Sequence, residues 1–161
     1  MKDTITTIIN EYDTKGKYLD NAAIDKMKAY FSTGTLRIRA ASIIESEASA
    51  ILKEATAKAL LYTATTKPGG NMYYTRRYAS CIRDMSYFLR YATYAMVAGD
   101  TTLLDNWVLK GLKPMYQSLG VPLAETVGSI NALKAAVANR VEPAAAQEMG
   151  KYFDHLAKGL S

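Results

Sequence analysis

The chain has 161 residues and a mass of 17.7 kDa, enough for one domain with a core of its own. Hydrophobic residues at 49% and charged residues at 22% exclude a disordered tail or a fibrous repeat, and one Cys with one His exclude an internal disulfide and a four-ligand zinc site. The net charge of +5, from 20 basic and 15 acidic residues, decides nothing until its placement is known.

No run of about 18 apolar residues occurs, and Met1-Lys2-Asp3-Thr4 opens an amphipathic pattern rather than a signal peptide. A soluble, intracellular chain is expected. Apolar positions recur at helical spacing almost throughout, so the expected fold class is all-α. In residues 4–13, Ile5, Ile8, Ile9 and Tyr12 form one stripe, and Gly16 breaks it. A second helix fits 21–31, capped by Asp20 or Asn21, with Ile24, Met27, Tyr30 and Phe31 expected to point inward. Residues 35–62 lack Gly and Pro and predict one long or two abutting helices.

Between Thr63 and Tyr74 the pattern fails around Lys67-Pro68-Gly69-Gly70-Asn71, which predicts a loop. Thr75 is the expected cap of a long helix that runs through Ala98, where Gly99 supplies a left-handed stop. Shorter helices are predicted over 102–112, 125–141 and 144–158, punctuated by Pro114, Gly120-Val121-Pro122 and Pro143. The outline is globin-like. Residues 1–31 form a helical hairpin added before a core of 32–161, within one domain. The hairpin's apolar face then needs either this core or a partner subunit to cover it.

Chemistry concentrates between Asn71 and Arg90, and four of the seven arginines and half of the twelve tyrosines fall between positions 73 and 94. Arg77, Cys81, Asp84, Met85, Phe88 and Tyr91 recur at steps of three and four, so a helix puts a thiol, a carboxylate, a guanidinium and aromatic walls on one face. That set suits a large, flat, conjugated ligand with N–H donors and carboxylate arms. The same residues taken singly are ordinary core or ion-pair residues.

Other chemistries fail on the sequence. GxGxxG, Walker, GxSxG and HExxH patterns do not occur. A Cys/His hydrolase would need His155, which sits in the last predicted helix, where a surface or capping role is expected. No His lies in the long central helices to ligate haem. The arginines spread over several faces without a nucleic-acid-binding motif, so nucleic acid is not an expected partner.

The stretches Pro68-Gly-Gly-Asn-Met-Tyr, Thr75-Arg-Arg-Tyr-Ala-Ser-Cys-Ile-Arg-Asp, Leu89-Arg-Tyr-Ala-Thr-Tyr-Ala and Ala98-Gly-Asp carry a specific resemblance. Support comes from Gly16-Lys-Tyr-Leu-Asp, Tyr30-Phe-Ser-Thr-Gly and Ser118-Leu-Gly-Val-Pro. Along its whole length the chain resembles the phycobiliprotein family, and within it the allophycocyanin β subunits. No counterpart of the second bilin cysteine found in phycocyanin β subunits is present.

The resemblance implies a globin-like phycobiliprotein fold and a light-harvesting role in a phycobilisome core, passing red-light excitation toward the chlorophyll photosystems without catalysis. It implies one phycocyanobilin, joined by a thioether to Cys81, with its pyrrole N–H groups on Asp84 and its propionates on Arg83 and Arg77. Asn71 matches a position methylated on the side-chain amide, and Met72, Tyr87, Phe88, Tyr91 and Tyr116 are the implied packing neighbours.

The implied partners are an allophycocyanin-type α subunit, in a heterodimer and then a trimeric ring, core linker proteins, and a bilin lyase during maturation. The implied location is peripheral, on the cytoplasmic (stromal) face of the thylakoid membrane. Ser86, Phe88, Trp107 and Pro114-Met115 depart from the usual family residues, as expected of a specialised paralogue with a far-red-shifted spectrum or an altered assembly, or of lineage drift. Trp107 is expected against a partner, a neighbouring bilin or its own core. The competing function class is a pigment-free structural or sensory subunit.

Overall fold

A computed structural model describes residues 3–60 and 64–161, and no strand occurs among them. Helix α1 (Thr4–Asp13) is capped by Asp3, whose carboxylate accepts from the Thr6 N–H, and α2 (Asn21–Ser32) by Asp20, which accepts from the Ala23 N–H. Each cap satisfies one of the orphan donors of a helix start. The long helix α3 (Gly34–Leu60) begins one residue earlier than predicted, and it is one helix as far as it is described. The calls on residues 61, 62 and 63 lie outside the described residues.

After a short 3₁₀ turn at Ala64–Thr66 comes α4 (Thr75–Ala98), which carries the chemistry-bearing face. Its cap position is Tyr74, with no side-chain cap, and Thr75 is already helical. The expected Thr75 cap is therefore wrong by one residue, because the extended backbone that a cap requires occurs at Tyr74. The predicted stop at Gly99 holds, with φ +69.

The predicted helix over 102–112 is broken in two. Only α5 (Thr102–Leu104) is α-helical, and Asp105–Leu109 form a π turn. Helix α6 (Leu112–Ser118) then starts afresh, with Pro114 in its first turn, where a missing N–H costs no hydrogen bond. Helices α7 (Leu123–Ala138) and α8 (Pro143–Leu160) complete the chain, with α7 ending three residues short of the prediction.

The core lies where α3 packs on α4 and α7, and α8 packs on α4 and α7. Ile51, Met85, Met96, Leu104, Ile130, Leu133, Phe153 and Leu156 are fully buried there. Each such side chain contributes about 1.5–3 kcal/mol of burial energy, which fixes α4 as a rigid beam between three others.

The hairpin behaves differently. Ile8 and Ala23 are buried, but Phe31 is 66% exposed, and Ile9, Leu19 and Ile24 also meet solvent. The expectation that Ile24 and Phe31 point inward is corrected, since no side chain among the described residues buries them. The hairpin is tied to the C-terminal end of α4. Thr4 Oγ1 donates to the Gly99 carbonyl at 2.9 Å, and Tyr30 Oη donates to the Val97 carbonyl at 3.0 Å. The buried Arg37 donates from Nη2 to the Tyr30 carbonyl at 2.6 Å and stacks its guanidinium 3.7 Å over the Tyr30 ring.

Candidate functional site: a groove beside the central helix

A groove of about 510 Å³ runs along α4 and is closed by the 70–72 loop, the π turn, α6 and the start of α7. That volume falls in the range of about 300–1,000 Å³ typical of cofactor sites. All ten sequence-predicted site residues line it: Asn71, Met72, Arg77, Cys81, Arg83, Asp84, Tyr87, Phe88, Tyr91 and Tyr116. Nine of the lining residues come from α4, six of them the set at steps of three and four, and tertiary packing adds the remainder from other segments.

Cys81 is half-buried, and its thiol is pushed up from 9.0 to about 11, first by burial and then by the negative charge of Asp84. Asp84 lies one helical turn further on. Its Oδ1 accepts from Arg83 Nε at 3.1 Å and Nη2 at 2.9 Å, and its Oδ2 accepts from Tyr116 Oη at 2.8 Å. Tyr116 is buried, and both burial and this bond push its ionisation well above the ordinary phenol range, so it stays a donor. A carboxylate has about four lone-pair sites, and Asp84 keeps acceptor capacity toward the groove.

The mouth is cationic and aromatic. Arg77 Nη1 donates to Asn71 Oδ1 at 2.8 Å, and Asn71 Nδ2 donates to the Gly120 carbonyl, so the loop before α4 is pinned to the turn before α7. Arg90 lies 5.0 Å from the Tyr87 ring centre and 5.3 Å from that of Tyr91. Phe88 and Met72 supply buried apolar wall.

Periodicity missed Val121, Pro122, Glu125, Thr126 and Ser129, which close the groove from the start of α7. In the sequence Val121 and Pro122 stand out only as turn punctuation, and Glu125, Thr126 and Ser129 only as part of the helix predicted over 125–141. Trp107 also lines the groove at 54% exposure, so the option that it folds into the core is ruled out. His155 is partly exposed and pairs Nε2 with Asp105 Oδ1 at 2.6 Å, so from its surface position it braces the π turn.

The sequence pattern of phycobilisome proteins matches residues 7–160. Allophycocyanin β chains from Mastigocladus laminosus and Thermosynechococcus vestitus are each 60% identical over 161 residues, covering all of both chains. That from Cyanidium caldarium is 58% identical over the same span. The chain belongs to the phycobilisome protein family, among its allophycocyanin β chains.

A phycobilisome protein of this kind harvests light and catalyses no reaction, and the pigment-free alternative finds no support. The family carries a covalently bound bilin, works with α subunits, and is membrane-associated without insertion. Among the described residues no helix is long and apolar enough to cross a membrane. The groove fits a bilin in its donor set. It offers one thiol, one carboxylate with a spare acceptor site, cations at the mouth, and apolar walls for a flat ring system.

Proposed function

We propose that this phycobilisome subunit carries one phycocyanobilin, linked by a thioether through Cys81, with Asp84 accepting from the pyrrole N–H groups. What supports this most is the convergence of Cys81, Asp84, Arg83, Arg77 and the aromatic residues on one groove of suitable volume. The bilin supplies long-wavelength absorption when bound. The chain's own residues supply rigidity: Asp84 is held by Tyr116, and Phe88, Met72 and Tyr91 pack the walls so that torsional loss is suppressed.

Arg83 and Arg77 are the propionate partners in this reading. Both side chains are exposed at the groove edge and can leave their present acceptors. Asn71 carries the amide methyl: one of its N–H groups is engaged by the Gly120 carbonyl, and the other is the position a methyl takes.

A bilin lyase assists attachment, because a thiol at about 11 leaves only about one molecule in ten thousand ionised at neutral pH. Residues 1–31 pair with the allophycocyanin-type α subunit while 32–161 form the pigment-bearing core, which accounts for the exposed Phe31, Ile9, Leu19 and Ile24. The heterodimers build trimeric rings held by core linkers on the cytoplasmic, or stromal, thylakoid face.

The test is mass spectrometry of the denatured chain produced with bilin and lyase. Wild type should show one bilin-sized adduct, and Cys81→Ser should show none while remaining helical. An adduct on Cys81→Ser would defeat the attachment assignment.

A further inference from the structure

Sequence spacing asks for one helix over 102–112, but the backbone inserts an extra residue per turn at Asp105–Leu109, closed by the Lys110 N–H donating to the Asp105 carbonyl at 2.9 Å. Such π turns frequently mark functional positions. This one is fixed at both ends on α8. Asp105 pairs with His155 at 2.6 Å, and Leu109 fills the notch at Gly159, where any added Cβ would stand 2.5 Å from it. Asn106 Nδ2 donates back to the Thr102 carbonyl at 2.8 Å.

Between these anchors the turn presents Trp107, the chain's only tryptophan, to the groove. The indole stands edge-on to Tyr91, with centroids 6.1 Å apart at 85°, and Tyr91 stands edge-on to Tyr94 at 5.8 Å and 86°. Tyr91 is itself a groove residue on α4. An anchored turn and a braced ring thus hold in place an indole that is still 54% exposed. An indole held this way is a preformed wall that lacks its second contact.

We propose that Trp107 is a binding residue of the bilin groove: the pigment carried by this same chain packs on the indole face that solvent meets in the isolated chain. The inference rests on the reading that Cys81 bears a bilin. It assigns Trp107 to this chain's own pigment rather than to a neighbouring subunit. The braced indole limits outward torsion of the conjugated system, which sharpens the red band and preserves emission.

The experiment compares wild type, Trp107→Phe and Trp107→Ala as full-length chains with bilin attached, first isolated and then assembled with the α chain. Mass spectrometry should show the adduct on all three; absence from wild type would defeat the attachment reading and with it this one. In the isolated chains, Trp107→Ala should lower the red-to-near-UV absorbance ratio and the emission yield, while Trp107→Phe retains most of both.

Bilin attachment should also slow amide exchange over 105–109 in wild type by about twofold to tenfold, the equilibrium equivalent of one aromatic contact, and should not slow it in Trp107→Ala. A simple structural role for Trp107 would not link that protection to the pigment. Isolated Trp107→Ala with wild-type spectra, or spectral change appearing only on assembly, would overturn the proposal.

Discussion

Gly99 and Gly16 give a paired test of how the hairpin is held to α4. Both glycines have a left-handed backbone, with φ of +69 and +59. An alanine there costs about 1–2 kcal/mol in backbone strain alone. Around Gly16 an added Cβ meets nothing within 4 Å, so Gly16→Ala should lose only that amount.

At Gly99 the same atom would lie 2.4 Å from Thr4 Oγ1 and 2.7 Å from the Tyr30 ring. Tyr30 cannot move without giving up its bond to the Val97 carbonyl and its stacking under Arg37, and Thr4 cannot move without releasing the Gly99 carbonyl. These bonds are near the surface and count at the lower end, so Gly99→Ala should cost about 2–4 kcal/mol. Urea unfolding of both variants with a common slope gives the difference directly. Amide exchange should quicken across α1 and α2 in Gly99→Ala alone, and pairing with the α chain should weaken in step. Equal losses at the two glycines would refute the account of the joint.

Two further substitutions test the carboxylate. Asp84→Ala should leave a pigmented chain folded while weakening the red band, because a buried pyrrole donor left without an acceptor costs about 1–3 kcal/mol and releases the extended conformer; absorption and far-UV circular dichroism must therefore part company. Tyr116→Phe deletes the 2.8 Å bond to Asp84 Oδ2 but leaves the Arg83 contact, so it should destabilise by about 1–2 kcal/mol in urea unfolding and broaden the red band less than Asp84→Ala does.

What was legible in the sequence follows a physical pattern. Gly99, Asp20 and the Cys81–Asp84 spacing were read because each depends on local rules: a left-handed residue, a cap, and 3.6 residues per turn. The π turn was not, since Leu104, Val108 and Leu112 recur at steps of four that an unbroken α-helix would share. The amphipathic pattern of its helix points Phe31 inward, yet none of the described residues covers it, and local pattern does not say what a helix face meets. The Tyr116 bond to Asp84 joins residues 32 apart, and the α7 wall joins residues still further apart, so no local pattern encodes either geometry. The family resemblance named Tyr116 but could not supply its hydrogen bond.

In the proposed reading, the carboxylate that accepts from the bilin also works against forming the thiolate at Cys81. Burial raises the Cys81 thiol first, and the Asp84 charge raises it further, because a thiolate there would be both poorly solvated and close to a second anion. Arg83 and Tyr116 engage Asp84 rather than the sulfur, so neither reverses the effect.

The groove is thus poorly suited to ionise its own thiol. Iodoacetamide alkylation of the bilin-free chain should accelerate with pH through an inflection at about 11. Asp84→Asn removes the lesser cause and keeps the greater, so the inflection should fall yet remain above 9.0, the ordinary thiol value. An inflection near 9.0 in wild type would show that the groove does not bury the sulfur as described. An unchanged inflection in Asp84→Asn would show that the carboxylate charge does not reach it.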